Sequence, residues 1–253
     1  MKISARQIQR VAFPTDAHAP YHSPYAVEIA CKIIQAYRPT VLVDGGDSLD
    51  FYQVSHFSRD PARVRDGLQA EIDAYIKLQH SLNDAAGKVP KFMLLSNHLD
   101  RWRKFVWENP ELYGLRVLDI ENVLELSKLG VKMVENIEIG KAEFRHGEFI
   151  AAHSAYTAKK QLDNSGYHHS IFSGHTHRLG AFFRTTSEGI VMAVESGGLF
   201  NASAVDYMAG TINWQNGLVL VDIVHGTPFP HIIPFFGRGR YMRAYWHDKE
   251  YLP

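Results

Sequence analysis

Residues 9–18 read Gln9-Arg10-Val11-Ala12-Phe13-Pro14-Thr15-Asp16-Ala17-His18, an apolar run that ends in a loop carrying an acid and a histidine two residues apart. The same pattern recurs four more times. Val41-Leu42-Val43 leads into Asp44-Gly45-Gly46-Asp47, and Phe92-Met93-Leu94-Leu95 leads into Ser96-Asn97-His98. Ala142-Glu143-Phe144 leads into His146-Gly147, and Ile171-Phe172 into Gly174-His175-Thr176-His177. Short apolar runs of this kind read as buried strands. In α/β sheets, ligands collect beyond the carboxyl ends of strands, where loops converge. Five strand ends carrying Asp, Asn or His therefore point to one shared site.

The segments around these runs set the expected architecture. Residues 24–37 read as a helix with apolar positions Val27, Ile29, Ala30, Ile33 and Ile34, and residues 63–82 as another, striped by Val64, Leu68, Ile72, Ile76 and Leu82. Gly87 and Pro90 end the second, and Pro110 breaks the polar helical stretch after His98. Strands are expected at 9–13, 40–43 and 91–95, and a short helix at 119–129. The second half predicts strands at 132–134, 137–144, 170–173, 181–184, 190–195 and 217–224, with one helix at 157–164. A βαβ half followed by a β-rich half suggests a layered α/β sandwich with a mixed sheet. No linker-like stretch divides the 253 residues, so one domain is expected, with a core over about 9–224 and a peripheral tail from 237.

Composition narrows the partners. Lys+Arg and Asp+Glu are both 27, which removes the global basicity of a protein that coats duplexes. The single cysteine, Cys31, excludes an internal disulfide and reads as a buried small hydrophobe. Residues 1–10 lack the apolar run of a signal peptide, and no later run is long enough for a membrane span, so a cytoplasmic location and no membrane partner are expected. Fourteen histidines ask for an explanation. Oxygen and imidazole donors without thiolates suit manganese, iron, zinc or similar ions. The alternating Asp16-x-His18 and His175-x-His177 spacings let two side chains of one extended loop aim in a common direction.

In order and spacing, Asp16/His18, Gly46-Asp47, Asn97-His98, His146-Gly147 and Gly174-His175-Thr176-His177 resemble the motifs of the calcineurin-like metallophosphoesterase family. The resemblance spans about residues 9–224. Ser154-Ala155-Tyr156-Thr157-Ala158-Lys159, Gly174 to Arg178 and Asn213-Trp214-Gln215-Asn216-Gly217 are most similar to its phage- and prophage-borne members. It implies an α/β/β/α sandwich with mixed β-sheets and two divalent transition-metal ions, manganese first, with iron, zinc, nickel or cobalt as alternatives. Asp16, His18, Asp47 and His177 would hold one ion, and Asp47, Asn97, His146 and His175 the other. Metal-dependent hydrolysis of a phosphoester by a bridging hydroxide is the implied reaction, with His98 as general acid. A phosphodiesterase or nuclease is placed slightly ahead of a phosphomonoesterase, and a non-catalytic binding module on the same scaffold is the rival.

Two positions depart from the family pattern. Ser96 stands where a glycine is usual, and Leu99 where an acid normally orients the neighbouring histidine, leaving Asp100 as the candidate substitute. Arg101, three residues from His98, is the candidate phosphate contact. His153 competes with His146 as ligand, although no glycine follows it. His22 and His56 lie in loops where substrate could reach them, and His168 and His169 read as solvated. Arg101-Trp102-Arg103-Lys104 and the stretch around Arg238-Gly239-Arg240-Tyr241 could follow a nucleic-acid backbone, with a solvated helix face and an ordinary tail as the plain alternatives.

Overall fold

The computed structural model describes residues 1–3, 8–56, 67–151, 153–204 and 213–253. Strand β1 (Lys2–Ile3) is followed by β2 (Gln9–Phe13), helix α1 (Pro24–Tyr37) and β3 (Val41–Asp44). Helix α2 (Gly67–Ala86), β4 (Lys91–Leu94), α3 (Leu99–Glu108) and β5 (Val131–Val134) complete the first half. Residues 63–66 of the expected second helix lie outside the described residues.

Local chemistry accounts for the helix ends. The Ser23 hydroxyl accepts the N–H of Ala26, Pro24 sits in the first turn, and Arg38 closes α1 in a left-handed conformation ahead of Pro39. The buried face of α1 comprises Ala26, Val27, Ile29, Ala30, Ile33, Ile34 and Tyr37. Cys31 is only partly buried, its thiol directed at the carbonyl of Ser81 on α2.

The two sheets each have six strands. One runs β12-β11-β2-β3-β4-β5, with β2 through β5 mutually parallel; β11 is Gly217–Val224 and β12 Thr227–Pro234. The other runs β1-β6-β7-β8-β10-β9, from β6 (Asn136–Ile139), β7 (Ala142–Arg145), β8 (Ser170–Ser173), β9 (Leu179–Thr186) and β10 (Gly189–Ser196). Strand alternation sorts side chains into layers. Val11, Phe13, Val41, Val43, Phe92 and Leu94 face Ile137, Phe144, Phe172 and Val194 between the sheets. Ala12, Leu42, Met93 and Leu220 point the other way, into a core shared with α1 and α2. On the far face, Ala158 and Leu162 of α4 (Tyr156–Asn164) cover Ile171 and Ala193. The result is the expected four-layer α/β/β/α sandwich with mixed sheets. No helix among the described residues is long and apolar enough to cross a membrane.

Three local expectations are corrected, and one strand is added. The expected strand 137–144 is a hairpin: Gly140 (φ +59°) turns the chain at a point where a Cβ would lie 2.7 Å from Gly226 Cα. The expected helix 119–129 breaks at Glu125 (φ +52°) into two single turns, Ile120–Val123 and Leu126–Leu129. Strand β12 escaped notice because it contains Pro228, Pro230 and Pro234, which it tolerates as an edge strand paired with β11 alone. The tail folds back as a hairpin, Ala244–Trp246 with Lys249–Tyr251, and buries Met242, Ala244 and Tyr251 in the helix-side core.

The Phe144 ring meets Phe13 at 5.2 Å and Phe172 at 5.0 Å between the sheets. Phe144→Ala is expected to cost about 3–5 kcal/mol in urea unfolding. Phe183→Ala, on a ring 59% exposed, should stay within about 0.5 kcal/mol. Equal losses at the two positions would contradict this layering.

Candidate metal centre

The loops after β2, β3, β4, β7 and β8 meet at one end of the two sheets. Asp16 Oδ1 lies 3.4 Å from His177 Nε2, which is 2.8 Å from His18 Nε2. Two imidazole nitrogens this close share one proton or one cation. Beside this triad, Asp47 Oδ2 lies 3.1 Å from His146 Nε2, and His175 completes a second group of donor atoms. Asn97 turns its Oδ1 to His146 Nε2 at 2.9 Å. The two groups are tied together: the His175 N–H donates to both Asp16 oxygens (2.9 and 3.0 Å), and the His98 N–H donates to Asp47 Oδ1 (3.2 Å). All eight residues named for the centre are therefore brought to one place.

The backbone there is unusual. Asp16, His18, Asp47, His175 and His177 all hold positive φ, between 50° and 71°. A left-handed non-glycine residue costs of order 1–3 kcal/mol, and such strain clusters at functional sites. Asp44, buried at the end of β3, shapes the turn that carries Asp47 by accepting the Gly46 N–H (3.0 Å) and the Ser48 hydroxyl (2.7 Å). Gly46 is required twice over: its φ is +90°, and a Cβ would lie 2.8 Å from His146 Nδ1. Ser96 keeps ordinary backbone, so the turn there needs no glycine.

Charge follows the same division. Burial resists ionisation of Asp16, but the bond and charge of His177 hold its carboxyl below the usual range. Asp47 is driven well below it, against burial, by His146, His98 and His18. Burial keeps His18 low, and burial with the neighbouring His146 charge pushes His175 down to about 4. Burial opposes the charge on His146, yet Asp47 and then Asp16 raise it to about 9. Two buried carboxylates thus draw positive charge from surrounding imidazoles. A divalent cation among these oxygen and nitrogen donors would supply that charge directly, so the residues fit one ion per triad.

His98 is held by a residue that the sequence reading missed. Its Nδ1–H donates to the Asp50 carbonyl (2.8 Å) and lies 3.4 Å from the Asp50 carboxylate. Asp50 also receives Arg101 Nη1 at 2.6 Å and faces His18 Nδ1 at 3.6 Å. Its carboxyl sits well below the usual range despite burial, through its bonds to His18 and His98. Burial would lower His98, but Asp47 and Asp50 outweigh it and raise the imidazole. Asp100 does not fill this place: it pairs with Arg103 at 3.0 Å and is half exposed. Leu99 points into the helix-side core, which is why no acid is found there. The available signal was the spacing Asp47-x-x-Asp50, which puts a second acid on the same loop.

The competing histidines fall outside the centre. His153 is exposed and packs on Tyr156, His56 faces Glu108 at 3.3 Å, and His169 faces Glu138 at 3.7 Å. His22 is partly buried beyond His18 and belongs to neither triad. Trp102 is buried against Phe51, so the 101–104 stretch does not present an aromatic face.

No protein family matches the chain, and no curated protein matches it in sequence. Among solved structures it is similar to Vps29 of Chaetomium thermophilum, with 9% identity, a TM-score of 0.49, and coverage of 96% of this chain and 98% of that one. Vps29 complexed with zinc, from Entamoeba histolytica, gives 13% identity, a TM-score of 0.41, and coverage of 89% and 98%. Yfce, a phosphoesterase from E. coli, gives 16% identity, a TM-score of 0.41, and coverage of 85% and 91%.

Removing the Asp50 charge should lower the His98 pKa. In NMR titrations of the metal-free chain, Asp50→Asn is expected to move His98 toward or below an ordinary histidine, whereas Asp100→Asn leaves it in place. An unmoved His98 in Asp50→Asn would refute the assignment.

Proposed function

We propose that the chain is a phosphoesterase dependent on two divalent cations, one held by Asp16, His18 and His177 and the other by His146, His175 and Asn97, with Asp47 shared between them. The observation that carries this reading is the pair of adjoining carboxylate–histidine triads, with His98 fixed at their junction. Manganese is the first candidate ion. When bound, such ions polarise phosphoryl oxygens and make a water acidic enough to serve as nucleophile near neutral pH.

The chain's own groups supply the rest. With Nδ1 committed to Asp50, His98 holds its second proton on Nε2, 3.7 Å from Asp47 Oδ2. That proton passes to the leaving oxygen as the phosphorus–oxygen bond breaks. Arg101 Nη2 lies 3.2 Å from the same Nε2. Its N–H can donate there only while His98 is neutral. Protonation of His98 therefore frees that N–H for a phosphate oxygen, while Nη1 stays on Asp50.

This arrangement favours diesters. The charge of Arg101 is already balanced by Asp50, which suits the single negative charge of a diester better than the double charge of a monoester. On α3, Arg103 is paired with Asp100, which favours a compact diester over a long nucleic-acid strand.

The test is turnover of a phosphomonoester, a phosphodiester, and single- and double-stranded DNA by the manganese-loaded chain. The diester should be hydrolysed fastest, and a chelator should abolish turnover. Asp47→Ala is expected to lose both metal and activity. His98→Ala should lower turnover by about 10²–10⁴-fold with metal content unchanged. Loss of metal in His98→Ala would reassign it as a ligand, and a wild-type chain inert toward every substrate would defeat the reading.

A further inference from the structure

His177 differs from His146 in what fixes its ring. His146 donates Nδ1–H to the Gly45 carbonyl at 2.9 Å, and the Asp50 carboxylate stands 3.6 Å from His18 Nδ1 without a hydrogen bond. His177 Nδ1, like that of His18 and His175, is buried with no hydrogen-bond partner among the described residues. Its ring is packed instead. The Trp214 ring stands against it at 4.2 Å and 82°, Phe200 lies at 5.0 Å, and Phe200 and Trp214 touch at 5.3 Å.

The segment carrying Trp214 is anchored on both sides of His177. The Gln215 N–H donates to the His177 carbonyl (2.8 Å), and Gln215 Oε1 accepts the Leu179 N–H (3.1 Å). Asn216 Nδ2 donates to the carbonyls of Gly198 (3.0 Å) and Phe200 (2.8 Å), and Arg178 Nε donates to the Asn213 carbonyl (3.2 Å). Asn213-Trp214-Gln215-Asn216, distinctive in sequence but without a role in the chemistry above, is thus built around one imidazole.

We propose that Trp214, backed by Phe200, is the positioning residue of His177 and sets the metal affinity of the Asp16/His18/His177 site. The inference rests on the two-metal reading above. A metal-ligating histidine is ordinarily oriented by a hydrogen bond on its other nitrogen. Here edge-to-face aromatic packing performs that task, holding a strained residue (φ +58°) aimed before the ion arrives.

Cobalt(II) titration of the full chain, read by visible absorption, tests this. Wild type should take two equivalents. Trp214→Ala should weaken one of them about 10–100-fold and leave the other unchanged, and Trp214→Phe should recover most of the loss. In parallel, filling the His177 site should quench wild-type tryptophan fluorescence, with most of the quenching lost in Trp214→Phe. If wild type binds no cobalt, the two-metal reading falls and this inference with it. If Trp214→Ala binds both ions as wild type does, only this inference falls, and a raised KM for a diester in that variant would make Trp214 a substrate contact instead. Equal weakening of both sites, or a Phe variant no better than Ala, would show a general structural role and overturn it. Should the Ala variant not fold, the fluorescence comparison decides alone, and quenching that persists in Trp214→Phe overturns the proposal.

Discussion

Asp47 is a carboxylate only 2% exposed, at the end of a parallel strand, and the centre is organised around keeping it ionised. An isolated buried carboxylate would take up a proton, because desolvation penalises the charged form. Here His146 lies at 3.1 Å, His98 gives Asp47 both its backbone N–H and a ring nitrogen at 3.7 Å, and His18 adds charge from the other triad. These partners come from three different strand ends, so their convergence depends on sheet register. The parallel pairing of β2, β3 and β4 brings their carboxyl ends to one edge, and the parallel pairing of β7 and β8 in the facing sheet brings His146 and His175 to the same edge. The inter-sheet layer of Phe13, Phe144 and Phe172 holds the two edges together.

Most of that framework is legible in the sequence, because strand alternation and helix periodicity act over short range. Val11 and Phe13 against Ala12, or Val41 and Val43 against Leu42, announce two-sided burial before any coordinates are known. The residues of the candidate centre are legible for a related reason: five polar clusters each follow directly on a buried run. What escapes depends on contacts between distant segments. Gly140 becomes a turn because Gly226 lies against it, and the proline-bearing β12 is a strand because only one of its edges is paired.

Asp50 shows the same limit inside the centre. Sequence adjacency to His98 directs attention to Leu99 and Asp100, but α3 begins there and the helix decides where those side chains go. Leu99 turns inward to the core and Asp100 outward to Arg103. The acid that reaches His98 Nδ1 comes from the preceding motif loop, 48 residues away in sequence. Linear distance misleads wherever a helix starts at the functional residue itself.

Strain, crowding and retained charge meet at one place in the free chain. Five residues of the candidate centre hold left-handed backbone, Asp16 and Asp47 are ionised and buried, and His18 and His177 bring two nitrogens to 2.8 Å. The left-handed backbone opposes folding, while the carboxylates and the paired nitrogens rest on imidazole contacts that a cation could replace. Binding free energy at such a centre adds to the stability of the fold, because the unfolded chain presents no comparable donor set. The strain, the crowding and the retained charge are therefore one design seen from three sides. The sandwich holds the donors close together, and a cation bound there would turn that proximity into affinity.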